Sequence, residues 1–257
     1  MIVCKSSAEL QTMHRAGLVV WDVLNGLRKT VQPGMTTLDL EQWAAKRTAE
    51  CGVRPAFLGY RGYPCVLCTS VNQEIVHGIP SASRKLKEGD ILSLDFGVEL
   101  DGYYGDAAVT VPIGKIRPEL EKLLRVTRES LDHAIERVHP GNRLGDISAA
   151  VQQWVEEHAF SVIREFVGHG IGTKMHEEPN VPNYGEAGRG PRLEPGMVLA
   201  IEPMVSAGAP DVKVLADNWT AVTADSSYSA HFEHTVAVTE GSPWILTRPR
   251  EITGASW

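Results

Sequence analysis

The sequence predicts an α/β chain built from two related halves, each a pair of helices followed by strands. Three observations carry this. Segments with helical period alternate with alternating or continuously apolar runs that read as strands. Pro33-Gly34 followed by Asp39-Leu40 returns 107 positions on as Pro140-Gly141 followed by Asp146-Ile147. In the same register, Lys85-Leu86, Gly89 and the run leading to Asp95 return as Arg192-Leu193, Gly196 and the run leading to Glu202. Two matches in one register point to one supersecondary unit used twice. We take the chain as a single domain, 1–257, with the repeat over roughly 6–112 and 117–240. Equivalent strand ends then carry Asp95 and Glu202, and halves packed about a pseudo-twofold axis bring both carboxylates onto it.

The elements follow in order. Ser6 and Glu9 have the spacing of a capping box, and Leu10, Met13, Leu18, Val19 and Val23 recur behind them with helical period. Pro33-Gly34 ends that helix. A second helix begins near Thr37 and stops before Gly52, and a third runs from Glu119 to Val138. A fourth carries Ile147, Ala150, Val151, Trp154 and Val155 on one face. Strands are expected around Cys65–Val71, Ile91–Leu100, Tyr103–Val111, Met197–Ile201 and Phe232–Val238.

Composition narrows the function. The balance of 25 basic against 32 acidic residues, net −7, argues against nucleic acid as the main partner. No run of about 18 apolar residues suggests a membrane span, and MIVCKSSAEL lacks the apolar core of a signal peptide. A cytoplasmic location is the default. Cys4, Cys51, Cys65 and Cys68 are too few for a disulfide scaffold. Cys65 and Cys68 form a lone C-x-x-C without a second metal-spaced pair, and they read as reduced thiols.

The chemistry lies in acids placed where acids are costly. Asp101-Gly102 between two alternating runs signals a two-residue hairpin. That turn sets Leu100 against Tyr103, so Gly97 faces Asp106 and Asp95 faces Ala108. Asp95 and Asp106 become diagonal neighbours on one face, with Cβ atoms about 7 Å apart. Glu202 ends the apolar run MVLAI, and Glu233 sits inside a strand in which His231, Glu233 and Thr235 share a face. His169 stands in a glycine-rich loop among Gly168, Gly170 and Gly172, and His176 follows in it with Glu177-Glu178-Pro179. Four carboxylates and one imidazole suit hard or borderline divalent ions such as Mn²⁺, Fe²⁺ or Co²⁺ better than a closed structural zinc site. Two such ions about 3.5 Å apart can deliver a bridging hydroxide and polarise a substrate oxygen.

Five segments, GYRGYPCVLCTSVNQEIVHGIP, DFGVELDGYYGDAAVT, GHGIGTKMHEEP, AIEPMV and FEHTVAV, occur in an order that resembles the type I methionine aminopeptidases from Ser6 to about Thr247. The resemblance implies the pita-bread fold, two pseudo-symmetric halves around a central antiparallel sheet and a dinuclear metal centre. It implies two divalent ions (Co, Mn, Fe or Zn) on Asp95, Asp106, His169, Glu202 and Glu233. His77 and His176 become the histidines at the substrate amide and the scissile peptide, with Glu202 as ligand and proton shuttle. A bridging hydroxide attacks the first peptide carbonyl. The implied methionine pocket is Tyr60, Tyr63, Cys68 and Trp219, together with two departures from the family pattern. Phe57 stands where a smaller residue, often cysteine, is usual, and Met175 where an aromatic is common. The implied substrates are nascent polypeptide N-termini with a small second residue. Transient contact with ribosomes and a monomeric state go with them. The shortness of the chain matches the bacterial form rather than the extended ones. Two alternatives remain open at this point: an Xaa-Pro-type peptidase of the same fold, and a catalytically inactive binding relative.

Overall fold

The computed structural model describes residues 2–251. Its first part holds α1 (Ser7–Thr30) and α2 (Thr37–Glu50), then β1 (Arg54–Pro55), β2 (Cys68–Val71), β3 (Glu74–Val76), β4 (Ile91–Leu100) and β5 (Tyr103–Pro112). The second holds α3 (Pro118–Ile135) and α4 (Leu144–Glu157), then β6 (Ser161–Val162), β7 (Gly168–Gly170), β8 (Glu177–Val181) and β9 (Val198–Ile201). It continues through β10 (Met204–Ser206), β11 (Val212–Val214), β12 (Ala221–Thr223), β13 (Ser229–His231), β14 (His234–Ala237) and β15 (Trp244–Ile245).

The helices start where side chains can satisfy the first free N–H groups. The Ser6 hydroxyl accepts from Glu9 N while Glu9 accepts from Ser6 N at 2.7 Å. Thr36 and Asp39 build the same box for α2, and Asp146 accepts from Arg143 N at 2.7 Å for α4. The stripe of α4 differs slightly from the sequence expectation. Its buried centre is Leu144, Ile147, Ser148, Val151 and Val155. Ala150 and Trp154 flank it half-buried, the Trp154 ring centroid 4.1 Å from that of His133 of α3 in a tilted contact.

Strand pairings are antiparallel. In one sheet β4 pairs with β5 on one edge and with β2 and β1 on the other. In the largest, the order is β15-β14-β9-β7-β8. Two three-stranded sheets, β13-β10-β6 and β11-β12-β3, flank them. One buried apolar cluster runs through both parts, from Leu24 and Phe96 to Leu123, Val151 and Leu199. The β4 run is therefore buried on both faces almost throughout, which is why it reads as continuously apolar instead of alternating.

The same backbone bonds recur 107 positions apart. Gly34 N donates to Leu86 O and Leu86 N to Met35 O; Gly141 N donates to Leu193 O and Leu193 N to Asn142 O. The isolated bridges Thr36–Lys85 and Arg143–Arg192 stand in the same relation. The two parts meet directly: Glu233 N donates to Ala108 O at 2.9 Å and Ala108 N to Glu233 O at 3.4 Å.

Two strand expectations need correction. The strand expected from Cys65 begins only at Cys68, because Val66 N and Leu67 N turn aside to donate to the Glu41 carboxylate at 2.8 and 3.0 Å. The strand expected over Phe232–Val238 is broken. Ser229–His231 pairs with β10, His234–Ala237 pairs with β9, and Phe232 and Glu233 lie between. Those two residues cross from one sheet to another, and Glu233 bonds to Ala108 on the way.

The close approach of α1 to the C-terminal strap depends on Gly17. A Cβ there would run into the Leu246 carbonyl oxygen, which is backbone and cannot swing away. His14 Nδ1 donates to that same carbonyl at 2.8 Å. Gly17→Ala is expected to destabilise the protein by roughly 1–3 kcal/mol through overpacking, despite alanine's better helix propensity. Denaturant unfolding monitored by circular dichroism checks it.

Candidate functional site

The hairpin puts the first two acids in place as its turn dictates. Asp95 pairs with Ala108 and Gly97 with Asp106. Glu202 leaves the end of β9, one residue before Pro203, and Asn183 Nδ2 holds its backbone carbonyl at 2.9 Å. Glu233 hangs from the strand break. His169 lies in the middle of β7, not in a glycine loop as its neighbours suggested. The glycines serve packing here: a Cβ on Gly168 would meet Ala200 O, and one on Gly170 would meet Glu178 O. Flanking strands thus close tightly on His169.

These five residues line one cavity of about 150 Å³, together with His77, His176 and all the pocket residues named above: Phe57, Tyr60, Tyr63, Cys68, Met175 and Trp219. Asp106, His169 and Glu233 bring ligand-capable atoms within 4.8 Å of one another. Asp95 Oδ1, Asp106 Oδ1 and Glu233 Oε1 are buried and have no hydrogen-bond partner among the described residues. Orphaned buried carboxylate oxygens are expensive. Here they converge, which is what a divalent cation needs and what hydrogen bonding does not supply.

The electrostatics agree. Burial raises the Asp106 pKa to about 7. Burial first, then Asp106, pushes Asp95 well above the usual carboxylate range. Glu202 and Glu233 are raised by burial and then by the other acids of the cluster. Like charges this close cannot all ionise without a counter-ion. The imidazole is the reverse case. His169 falls to about 3, chiefly by burial with His176 adding, so it is neutral. Its Nδ1–H donates to Gly170 O at 2.9 Å, which leaves the Nε2 lone pair facing the cluster, 3.7 Å from Glu202 Oε1.

The other end of the cavity is apolar. Phe57, Tyr63, Cys68 and Met175 are buried around it, with Tyr60 and Trp219 packed against them. Tyr63 is fixed by donating to Leu67 O and Gly78 O, both at 3.1 Å. Burial, then the Asp95 charge, holds the Cys68 thiol protonated, so it is a soft wall and not a thiolate ligand. His77 stands at the mouth with φ 60°, edge-on to Phe166 and Trp219. Burial and His176 bring it to about 4, so it too is neutral. His176 shares a 2.8 Å hydrogen bond at Nδ1 with the Tyr60 hydroxyl, and its ring lies 4.2 Å from that of His169. The half-turn holding it is pinned by the buried Lys5–Glu177 ion pair at 2.5 Å.

Two residues of the site escaped sequence reasoning. Arg61 lines the mouth and depresses His176 after burial does, but nothing in GYRGYP singles it out. His231 is buried, with both ring nitrogens lacking a hydrogen-bond partner and Nε2 3.7 Å from Glu202 Oε2. The alternation that placed it on the Glu233 face was a usable signal. Its setting mirrors that of Asp106. Thr110 Oγ1 donates to His231 O and accepts from His231 N; Thr235 Oγ1 does the same for Asp106 O and Asp106 N, all at 2.7–3.1 Å.

Fold and site together define a two-part α/β chain with a buried, acid-rich centre fitted to divalent cations. Comparison with known proteins makes this particular. The model of metallopeptidase family M24 matches residues 11–240, and the chain belongs to that family. It is 52% identical over 248 residues to methionine aminopeptidase 1 of Bacillus subtilis (strain 168), covering 96% of this chain and 100% of that one. The crystal structure of methionine aminopeptidase from Thermotoga maritima superposes with a TM-score of 0.95 at 48% identity, covering 97% of this chain and 100% of that one. The prolidase from Pyrococcus horikoshii shares the fold at a TM-score of 0.77 and 20% identity, covering 98% of this chain and 66% of that one.

Carboxylates that hold protons in the metal-free protein must release them to ligate. Asp106, at about 7, does so within the physiological range, while His169 is already neutral. Divalent-ion affinity is therefore expected to rise from pH 6 to pH 8 with net proton release. Calorimetric titration with Mn²⁺ in buffers of different ionisation enthalpy reads both; a pH-independent affinity without proton release would contradict the raised carboxylates.

Proposed function

We propose that this protein removes the N-terminal methionine from peptides and nascent proteins whose second residue is small. One observation carries the reading: an apolar pocket opens directly onto a cluster of buried acids within a single cavity of about 150 Å³. A cavity of that size holds a benzene-sized group, hence one side chain. The thioether of methionine suits walls of Phe57, Tyr60, Tyr63, Cys68, Met175 and Trp219, since sulfur packs well on rings and on other sulfur. Phe57 and Met175 replace the usual smaller residue and aromatic without opening the pocket, which supports a site that remains fitted to one unbranched chain.

Asp95, Asp106, His169, Glu202 and Glu233 would hold two divalent ions of the Mn, Fe, Co or Zn group. Such ions supply Lewis-acid polarisation of a carbonyl and a low-pKa water at neutral pH. The remaining work falls to side chains. The free α-amine of the substrate would bind beside the acid cluster and its ions, which confines cleavage to the first residue. Glu202 takes the proton of the attacking water as its oxygen bonds to the carbonyl carbon, and gives it to the departing nitrogen as the C–N bond breaks. A neutral His176 that accepts from Tyr60 at Nδ1 carries its proton on Nε2. From there it donates to the carbonyl oxygen as charge develops, a preorganised contact. His77, fixed by Phe166 and Trp219, faces the substrate amide. The whole chain serves as one catalytic domain, an assignment supported by the bonds that recur across both parts. No helix among the described residues is long and apolar enough to cross a membrane. A cytoplasmic monomer meeting nascent chains through transient ribosome contact fits this substrate.

The test is release of free methionine from Met-Ala-Ser by protein loaded with Mn²⁺, Fe²⁺ or Co²⁺, beside Leu-Ala-Ser and a Gly-Pro peptide. Metal-dependent release from the first substrate alone is expected. Cleavage of Gly-Pro instead would establish an Xaa-Pro peptidase, and bound ions without turnover an inactive relative. In the same assay Glu202→Gln is expected to lower kcat by about 10²–10⁴-fold and His176→Ala by about 10²–10³-fold. Phe57→Ala should lengthen the pocket and narrow the preference for methionine over longer side chains, read as a ratio of kcat/KM values.

A further inference from the structure

A second cleft, of about 580 Å³, shares no lining residue with the acid cavity and lies between the end of α1, the end of β5 and α3. Its rim carries Arg28 from the last turn of α1, Lys115 from the connector before α3, and Arg125 and Arg128 from α3. Glu121 is the one acid lining it. This is a local reversal in a chain of net charge −7. Arg125 has a partner, Glu129 at 3.0 Å. Arg28, Lys115 and Arg128 make no ion pair among the described residues, and none has a side-chain hydrogen bond. Arg128 Nε is buried with no acceptor. Arg28 and Arg128 line the same cleft, and Arg28 is lowered by burial and then by the charge of Arg128. Asp132, one turn further along α3, feels Arg128 without pairing to it, and burial raises its pKa to about 6. The floor between the cations is apolar: Val109, Val111, Leu124 and Phe232.

Two guanidiniums brought together across the seam, one with a buried donor unsatisfied, repel unless an anion joins them. Arginine forks match phosphate oxygens in geometry as well as charge. The volume lies in the range of small-molecule sites, and an apolar floor under a charged rim is their usual form. We propose that this cleft binds a small phosphate-bearing solute, its phosphate between Arg28 and Arg128 with Lys115 at the edge, its organic part on Val109, Val111 and Phe232. Phe232 adjoins Glu233, so the bound solute rests on the back of the segment that delivers a metal-centre carboxylate.

The experiment titrates the metal-loaded protein with inorganic phosphate, pyrophosphate and ADP at fixed ionic strength in chloride. Calorimetry and the shift in Tm are the readouts. Saturable binding is expected, tighter for ADP than for inorganic phosphate, with a rise in Tm. Arg28→Gln and Arg128→Gln should each weaken it about tenfold, the scale of a lost charge-assisted hydrogen bond. Neither variant touches the peptide site, so methionine release stays unchanged. Arg28→Gln removes only a like charge from Arg128, so its ligand-free Tm should hold or rise, which separates lost binding from lost folding. Absence of saturable binding overturns the proposal. So does binding that survives in both variants, since it then belongs to the metal centre. Binding of a short RNA duplex with none of the three solutes also overturns it, in favour of a surface for RNA.

Discussion

Asp95, Asp106, Glu202 and Glu233 repel one another across a cavity that gives them little water, and each is pushed up by burial before any other cause. A fold does not collect four such groups by accident, because each unpaired buried charge costs several kcal/mol. The surrounding structure is arranged to hold them there. Asp106 is fixed through both its backbone polar groups by Thr235. Glu233 is fixed through its backbone by Ala108, and Glu202 by Asn183. In every case the clamp is on the main chain. One buried oxygen each of Asp95, Asp106 and Glu233 is left without a hydrogen-bond partner among the described residues, the opposite of what a structural acid shows. Backbone held and side chain unspent is the arrangement that preorganises a ligand set.

Much of this was legible in the sequence wherever a local rule fixes geometry. The Asp101-Gly102 turn determines the register of the whole β4–β5 hairpin, so Asp95 and Asp106 could be set on one face by counting from it. The capping boxes at Ser6 and Thr36 fix where α1 and α2 start for the same reason, since the donor and acceptor lie three residues apart. The recurrence at 107 residues paired Asp95 with Glu202 before any contact was known.

Long-range constraints were not legible. Periodicity reads FEHTVAV as one strand, because nothing in its residues records that the chain must leave β10's sheet and join β9's. The break at Phe232-Glu233 is imposed by the partners on either side. The glycines around His169 read as a loop, because glycines usually signal one. Here they are demanded by the carbonyls of Ala200 and Glu178 pressing on β7. The acid–histidine set survived both errors, since residue chemistry and not element type selected it. The left-handed backbone of His77 is the third case. A bulky residue at positive φ is strained, and only the packed rings of Phe166 and Trp219 show that the strain is held for a purpose.

The two parts of the chain supply the same scaffold and fill it differently. Asp95 answers to Glu202; Asp106 answers to His231, each clasped by its threonine; and Ala108 answers to Glu233, with the two bonded to each other. A symmetric filling with acid at all six positions would add two more buried negative charges to a cluster already unable to ionise fully. A filling with alanine at both 108 and 233 would leave too few oxygens to neutralise two divalent ions. Alanine at 108 gives Glu233 room to enter, and imidazole at 231 places a neutral buried ring beside Glu202 where a fifth acid would otherwise stand. The asymmetry also orients the cavity. Its first-part strands lead through Cys68, paired with Asp95, toward the apolar pocket, while its second-part strands carry His169 and lead on to His176. A substrate that enters between them meets hydrophobic wall on one side and hydrogen-bond donors on the other, so a duplicated backbone yields a site with one direction of binding.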